Sequence, residues 1–163
     1  MHSLIKIKKR CRPTVFLGAL WLLLAASAGA EEQLAPSVEL RVSDAYVYVP
    51  IAGRNITAGY FTLSNQSEKD YQLVGAESAA VGRIELHSHQ HEDGVMKMRR
   101  EERVTLAAGS QLVFAPGGLH LMLFDLAQGL QSGQQLDLTL IFDDGTRLPL
   151  EAQVKSRFDR PHH

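Results

Sequence analysis

The residues in this sequence that could do chemistry are histidines and methionines, and they are clustered. Outside the first 30 residues the methionines are Met96, Met98 and Met122, and four histidines lie in the same stretch, at positions 87, 89, 91 and 120. Imidazole is a borderline metal ligand and a thioether is a soft one. A cluster of both indicates a binding site for a soft metal ion.

The spacing of these donors predicts how they meet. In a β-strand, residues two apart share one face, so His120 shares a face with Met122, and His87 with His89. His87 and Met98 are expected on the two arms of one hairpin, where cross-strand partners come within about 5 Å. Two such pairs predict a four-donor metal site made of His87, Met98, His120 and Met122.

The donor types select the metal. Thioethers are poor ligands for zinc, calcium or magnesium, whereas histidine plus methionine without a thiolate suits monovalent copper. One Cu(I) ion per chain is therefore the predicted ligand. The turns at 91–94 and 116–118 would keep the ion near the surface, where another protein could take it. Carboxylates such as Glu85 or Asp93 are candidates to orient an imidazole.

Some of these side chains also have plainer interpretations. Met96 is not needed by a four-ligand set, and methionine in a strand usually fills the core. His89 and His91 are expected to be exposed loop residues. With His162 and His163 they could form an accessory Cu(II) or zinc site. A His-based extracytoplasmic scavenger of zinc or Cu(II) is the alternative function.

Other classes of protein are disfavoured by what the chain contains. A blue-copper electron carrier needs a cysteine ligand, and the one cysteine, Cys11, lies near the N-terminus. We do not expect an enzyme, because no serine stands in a nucleophile-elbow pattern and the His/Met set has no open position to activate water. With 17 Lys+Arg against 18 Asp+Glu, nucleic acid is not an expected partner.

The elements that must position the donors are predicted to be strands. Alternating stretches rich in β-branched and aromatic residues are separated by turn residues, three times in hairpin-like patterns around 91–94, 116–118 and 143–145. Only Leu126 to Gln131 could form a short helical turn. Seven to nine short strands predict an antiparallel β-sandwich or barrel. The strands are expected at Val38–Val49, Gly59–Leu63, Tyr71–Val74, Gly82–His89, Val95–Arg100, Leu112–Ala115, Leu119–Phe124, Leu136–Phe142 and Thr146–Val154.

The N-terminus has the pattern of a cleavable secretory signal peptide at residues 1–30. A basic leader precedes the apolar run Val15 to Ala26, and Ala28-Gly29-Ala30 offers small residues for cleavage. The run is shorter than the roughly 20 residues that a spanning helix needs, so no stable membrane insertion is expected after cleavage. The predicted organisation is this signal, a β-domain at 31–155 and a flexible tail at 156–163. The protein is expected to be periplasmic and monomeric.

The spacing of the donors resembles a known family. His87 is followed after ten residues by Met98, then after twenty-one by His120-x-Met122. This motif, in the contexts GRIELHSHQHEDGVMKMR and PGGLHLML, is similar to the metal-binding motif of the PCu(A)C (PCuAC) periplasmic copper chaperones. The similarity extends over most of the chain after the signal, including AGYFTLSN at 58–65. Phe124 departs from it, since many members have another methionine there.

The resemblance implies a fold, a ligand set and partners. Members have a cupredoxin-like Greek-key β-sandwich and bind one Cu(I) through the two histidines and two methionines of the motif, which here are His87, Met98, His120 and Met122. They are implicated in carrying copper toward the CuA site of cytochrome c oxidase, with Sco-type proteins as partners. The terminal His162 and His163 resemble a minimal form of the His/Met-rich tail found in many members.

Overall fold

The computed structural model describes residues 39–92, 94–127 and 129–158, without the side chains of residues 91 and 92. The expected signal peptide with Cys11, the carboxylate of Asp93 and the terminal histidines His162 and His163 lie outside the described residues. Within the described ranges, no helix is long and apolar enough to cross a membrane.

Ten β-strands build the described domain. They are β1 (Leu40–Tyr48), β2 (Ile56–Asn65), β3 (Tyr71–Glu77), β4 (Val81–Glu92), β5 (Val95–Glu101), β6 (Val104–Leu106), β7 (Gln111–Phe114), β8 (His120–Leu126), β9 (Gln135–Phe142) and β10 (Arg147–Lys155). The all-β prediction is confirmed, and nine of the strands match the predicted stretches. The three-residue strand β6 was missed because so short a stretch has no readable alternation.

The strands form one hydrogen-bonded sheet in the order β5-β4-β8-β2-β1-β10-β9-β3-β6, with β7 paired to β2. Every neighbouring pair is antiparallel except β1 and β10, which run parallel with Tyr46 opposite Gln153. The pairing is therefore antiparallel, as predicted, at every neighbouring pair but this one. Strands β3 and β4, distant in the sheet order, also lie against each other, so the sheet folds over to enclose the core, as expected of a sandwich.

The core is made from alternate residues of the strands, and it fixes which residues face outward. On β8, Leu121 and Leu123 are fully buried in it. Because strand side chains alternate, the residues between and beside them, His120 and Met122, point to the opposite face. Burial of two leucines thus orients the imidazole and the thioether of this strand.

Two of the three predicted hairpins form. Strands β4 and β5 are joined by a two-residue turn between Glu92 and Val95, in which Gly94 has a φ of 78°. This left-handed conformation suits glycine, as predicted. Strands β9 and β10 pair around the Asp143 to Gly145 turn.

The third predicted hairpin, at Pro116 to Gly118, is wrong. The turn itself exists, since the Gly118 N–H donates to the Ala115 carbonyl at 3.0 Å. However, β7 and β8 do not pair with each other over their length. Both pair with β2, one beyond the other along the same edge. The long strand β2 offers enough backbone for both, so the chain continues beside it instead of doubling back. The helical turn expected over Leu126 to Gln131 is also absent from the described part of that segment.

The contribution of Leu121 to stability can be tested directly. We expect Leu121→Ala to lower the free energy of unfolding by about 2–5 kcal/mol, because it leaves a cavity in the core. Val113→Ala on β7, at a side chain that is 58% exposed, should change it by less than about 0.5 kcal/mol. Urea denaturation followed by circular dichroism measures both; equal effects would contradict the assigned facing of β8.

Candidate metal centre

Strands β5, β4 and β8 lie side by side and bring the predicted donors onto one face of the sheet. Across β4 and β8, His87 is directly opposite His120. Across β4 and β5, Met98 is directly opposite His89, while Arg100 is opposite His87. His87 and Met98 therefore lie on the two arms of one hairpin, as predicted, with Met98 on the diagonal from His87, two residues from the position directly opposite it and on the same face.

The three imidazoles form a compact cluster. The ring centroids of His87 and His120 are 5.8 Å apart, and the His89 ring stacks on that of His120 at 4.8 Å with 20° between their planes. His89 was expected in an exposed loop, and that expectation is wrong. It lies within β4 and is partly buried, because its ring packs against that of His120 on the neighbouring strand β8.

A carboxylate orients the His87 ring. Nε2 of His87 lies 2.9 Å from Oε2 of Glu85. An ionised carboxylate only accepts hydrogen bonds, so in the neutral ring Nε2 carries the proton and Nδ1 keeps its lone pair. Nδ1 is buried and has no hydrogen-bond partner. Glu85 thereby leaves one defined nitrogen of His87 able to bind an ion. Glu85 was one of the two carboxylates predicted to orient an imidazole, and it does so.

A backbone carbonyl orients the His120 ring. Nδ1 of His120 lies 3.0 Å from the Gly118 oxygen, which can only accept, so Nδ1 carries the proton and Nε2 keeps its lone pair. Nε2 is buried without a partner. Burial is also the main reason that the pKa of His120 is lowered, with further lowering by His89 and His87 against the opposing bond to Gly118. His120 is thus held as a neutral imidazole whose Nε2 lone pair is available to an ion.

Three buried ring nitrogens in one cluster have no hydrogen-bond partner: Nδ1 of His87, Nδ1 of His89 and Nε2 of His120. Buried polar atoms are almost always paired, since leaving one unpaired costs about 1–3 kcal/mol. A metal ion is one group that satisfies such lone pairs. In the described part of the chain, no group of three or more His, Cys, Asp or Glu side chains has metal-binding geometry. A site completed by methionine is not among such groups, because it has fewer than three of these side chains.

The methionines flank the imidazoles. Met122 is partly buried on β8, opposite Glu85, and Met98 is 48% exposed on β5. Directly opposite residues share a face, so both thioethers project on the side of the imidazoles. Met96 was expected in the core, which is wrong: it is 50% exposed, because β5 is an edge strand whose residues from Val95 to Arg100 are all exposed.

Glu85 is the electrostatic centre of this face. It is a buried carboxylate that pairs with Arg83 and, at 3.3 Å, with Arg100. The hydrogen bond to His87, followed by the charges of Arg100 and Arg83, lowers the pKa of Glu85 against the opposing effect of burial. The guanidinium of Arg83 also lies 4.0 Å from the centre of the Phe124 ring, so Phe124 supports this network.

Aromatic side chains border the cluster on the other side, and sequence reasoning missed them. The Tyr60 ring lies 6.4 Å from that of His120, and Tyr46 and Tyr48 pack on Tyr60 at 5.1 and 5.8 Å. Burial raises the pKa of Tyr46 to about 12. The alternation of Tyr46 and Tyr48 was readable in the sequence, but their approach to Tyr60 depends on the bulged β1–β2 register.

Fold and site together define a class of protein: an all-β domain that gathers imidazole and thioether side chains on one face of its sheet. The family model "Putative lipoprotein LpqE-like" matches residues 40–154. The chain therefore belongs to the LpqE-like family, which is related to PCuAC domains, and the family resemblance predicted from the sequence is confirmed.

Two relatives support this membership. "Putative lipoprotein Lxx21020" of Leifsonia xyli subsp. xyli (strain CTCB07) is 35% identical over 81% of this chain and 78% of its own length. The Rickettsia prowazekii (strain Madrid E) protein RP573 is 37% identical over 66% of this chain. The match spans 59% of the Rickettsia protein's length.

Solved structures match the fold. The copper-bound PCuAC domain from PmoF2 has a TM-score of 0.61 and is 22% identical, covering 72% of this chain and 93% of that domain. The Cu(I) form of DR1885 from Deinococcus radiodurans has a TM-score of 0.55 and is 29% identical, covering 82% of this chain and 87% of that protein. The predicted fold class is thereby confirmed.

The role of Glu85 predicts a pH dependence of stability. Its folded-state pKa lies below the ordinary 4.5, so the unfolded chain binds the proton more readily. The stabilisation that ionised Glu85 contributes is complete above about pH 4.5, the ordinary pKa. It is lost as the pH falls through the lowered pKa of the folded state. We expect Glu85→Gln to be less stable at pH 7 and to lose less stability than the wild type between pH 5 and 3, measured by urea denaturation.

A matched control is Glu77→Gln. Glu77 pairs with Arg147 at an exposed position on another part of the sheet, where ion pairs contribute little. Glu77→Gln should therefore leave the acid dependence of the free energy of unfolding unchanged. A Glu85→Gln variant with the wild-type acid dependence would contradict the assigned network.

Proposed function

We propose that the protein is a Cu(I)-binding metallochaperone whose ligands are His87, Met98, His120 and Met122. The observation that carries the proposal is the pair of orphaned nitrogens on adjacent strands, Nδ1 of His87 and Nε2 of His120. Each is buried, and each imidazole is held by a hydrogen bond at its other nitrogen. Metal-binding histidines are typically oriented in this way.

The thioethers favour the monovalent ion. Two neutral imidazoles and two thioethers carry no charge and are soft or borderline donors, a combination suited to Cu(I). Thioethers bind without losing a proton and cannot form disulfides, which suits a carrier outside the cytoplasm. The copper forms of DR1885 and the PmoF2 domain, similar in fold, support the choice of metal.

The exposure of the donors supports a carrier rather than a store. His120 is 2% exposed, whereas Met98 is 48% exposed on the edge strand β5. An acceptor's ligand can therefore approach the ion from the side of Met98 while His120 still holds it. Stepwise exchange of this kind needs one accessible and one anchored donor, and it requires no catalysis of a reaction by the protein.

The destination and the compartment are also part of the proposal. By family, we propose that the protein is exported to the periplasm, acts as a monomer and delivers copper toward the CuA site of cytochrome c oxidase or to Sco-type assembly proteins. The lipoprotein description of the family and of the Leifsonia relative supports export.

The ligand assignment predicts two losses of affinity. We expect Met98→Leu and His120→Ala each to weaken Cu(I) binding by at least about tenfold, because each removes one of four donors, with the fold close to intact. An anaerobic competition titration against a Cu(I) chelator measures the affinity, and X-ray absorption of the wild type should report both nitrogen and sulfur donors.

Met96→Leu is the matched control for Met98→Leu. It removes an equally exposed thioether from the same strand, and it should leave the affinity unchanged. Wild-type affinity in both Met98→Leu and His120→Ala would overturn the assignment. Nitrogen-only coordination with a preference for divalent ions would instead favour the zinc or Cu(II) scavenger.

Delivery is tested separately from binding. We expect the Cu(I)-loaded protein to transfer copper to a purified CuA-bearing oxidase domain or to a Sco-type protein, because an exposed thioether allows exchange with the acceptor's ligands. Copper content of each protein after chromatographic separation measures the transfer. Retention of all copper by the loaded protein with both acceptors would contradict the proposed destination while leaving the binding site intact.

A further inference from the structure

The loop that follows β1 has an unusual composition for a surface turn. Residues 49–52 (VPIA) are all apolar and lead into a turn in which the Arg54 N–H donates to the Ile51 carbonyl at 2.8 Å. Turns are usually built from glycine and small polar residues, and only Gly53, with a φ of 76°, conforms. Ile51 is 56% exposed, so the turn presents a large apolar side chain to water.

A second exposed apolar residue lies beside this loop because β1 and β10 run parallel. Their C-terminal ends are side by side, and the Val49 N–H donates to the Lys155 carbonyl at 2.9 Å. Phe158, three residues after β10, is 91% exposed. Ile51, Phe158 and Leu130 line one cleft of about 670 Å³. The two exposed side chains therefore share one surface, the apolar end of the domain.

The charged residues that line the apolar end are cationic. Arg157 lines the same cleft, and Arg54 lines an adjoining cleft of about 480 Å³ that shares the wall 49–52. No carboxylate is among the described residues that line either cleft. The whole chain has 18 Asp+Glu against 17 Lys+Arg, a balance that conceals this local excess. The Arg157 guanidinium lies 5.0 Å from the centre of the Tyr48 ring, a contact that positions the cation without neutralising it.

Exposed apolar side chains flanked by cations fit the surface of an anionic bilayer. The apolar groups enter the boundary between headgroups and acyl chains, and the cations are attracted to lipid phosphates. Other occupants fit less well. The five residues after Phe158 (DRPHH) contain no large apolar side chain. A second copy packed face to face would set arginines against arginines, and like charges in an interface repel.

We propose that the apolar end docks reversibly on an anionic membrane surface. Ile51 and Phe158 enter the headgroup region, and Arg54 and Arg157 bind lipid phosphates. The proposal goes beyond the proposed function, because it does not depend on which ion the protein carries.

This attachment leaves the metal centre accessible. Strand β8 ends at Leu126, which lines the adjoining cleft. It begins at His120, about 20 Å away at the rise of a strand. The candidate ligands therefore lie away from the bilayer, open to an acceptor.

The test uses the protein purified after export, with its N-terminus identified by mass spectrometry, because a retained apolar leader would itself bind lipid. We expect it to co-sediment at low salt with vesicles of equal parts phosphatidylcholine and phosphatidylglycerol, and much less with phosphatidylcholine alone. Raising the ionic strength should weaken binding to the anionic vesicles, because salt screens the arginines.

Substitutions on the apolar end separate its two contributions. Ile51→Ser and Phe158→Ser should each lower the partition coefficient by at least about fivefold, because each removes apolar surface from the contact. Val113→Ser is the matched control, since Val113 is 58% exposed on β7, and it should have no effect.

Arg54→Gln and Arg157→Gln should each weaken binding to the anionic vesicles by about fivefold, the effect of one cation near a charged surface. Arg41→Gln is their control, since Arg41 is exposed near the other end of β1. All of these positions are exposed, so the circular dichroism spectrum should not change.

A wild type that does not bind the vesicles overturns the proposal. Binding that is unchanged in both Ile51→Ser and Phe158→Ser, or that salt and both arginine variants leave unaffected, also overturns it. Loss of a dimer in Phe158→Ser, or loss of binding to a purified CuA-bearing oxidase domain, without vesicle binding by the wild type would show a protein interface instead. The Cu(I) titration tests the proposed function separately, since none of these substitutions touches the four proposed ligands.

Discussion

Leu86 and Leu121 face each other across β4 and β8 inside the core, and both are almost completely buried. The next pair along the same two strands is His87 with His120 on the outer face. A slip of one residue between these strands would expose the leucines and turn an imidazole into the core. The apolar pair therefore holds the register on which the arrangement of the imidazoles depends.

Register alone does not determine which nitrogen of each imidazole is available. That choice is made by two acceptors of different kinds, the Glu85 carboxylate for His87 and the Gly118 carbonyl for His120. The pKa of this carboxylate is lowered although it is buried, because His87 is hydrogen-bonded to it and Arg100 and Arg83 compensate its charge. The carbonyl belongs to the turn that follows β7. The sequence predicted this turn as a hairpin connection, which is wrong, yet the turn positions the oxygen that orients the His120 ring.

The parts of this structure that follow local rules could be predicted from the sequence. Alternation predicted that His120 and Met122 share a face, and glycine chemistry predicted the turn at Gly94. What failed depended on register and on neighbouring strands. The pairing of β4 with β8 brings the His89 ring onto that of His120, and the edge position of β5 leaves Met96 exposed. Neither is visible in periodicity, because both depend on which strands pair and how far.

The arrangement of the donors also indicates how an ion could enter and leave. From β8 to β5 the side chains become more accessible: His120 is buried, His87 is 13% exposed and Met98 is 48% exposed. The buried end is rigid, since its imidazole is held by a backbone carbonyl and packed beside Tyr60. The exposed end carries a flexible, neutral thioether that can detach without taking up a proton. Under the proposed ligand assignment, release of the ion would therefore begin at Met98 and end at His120, so the order of the strands in the sheet sets the order in which the ligands detach.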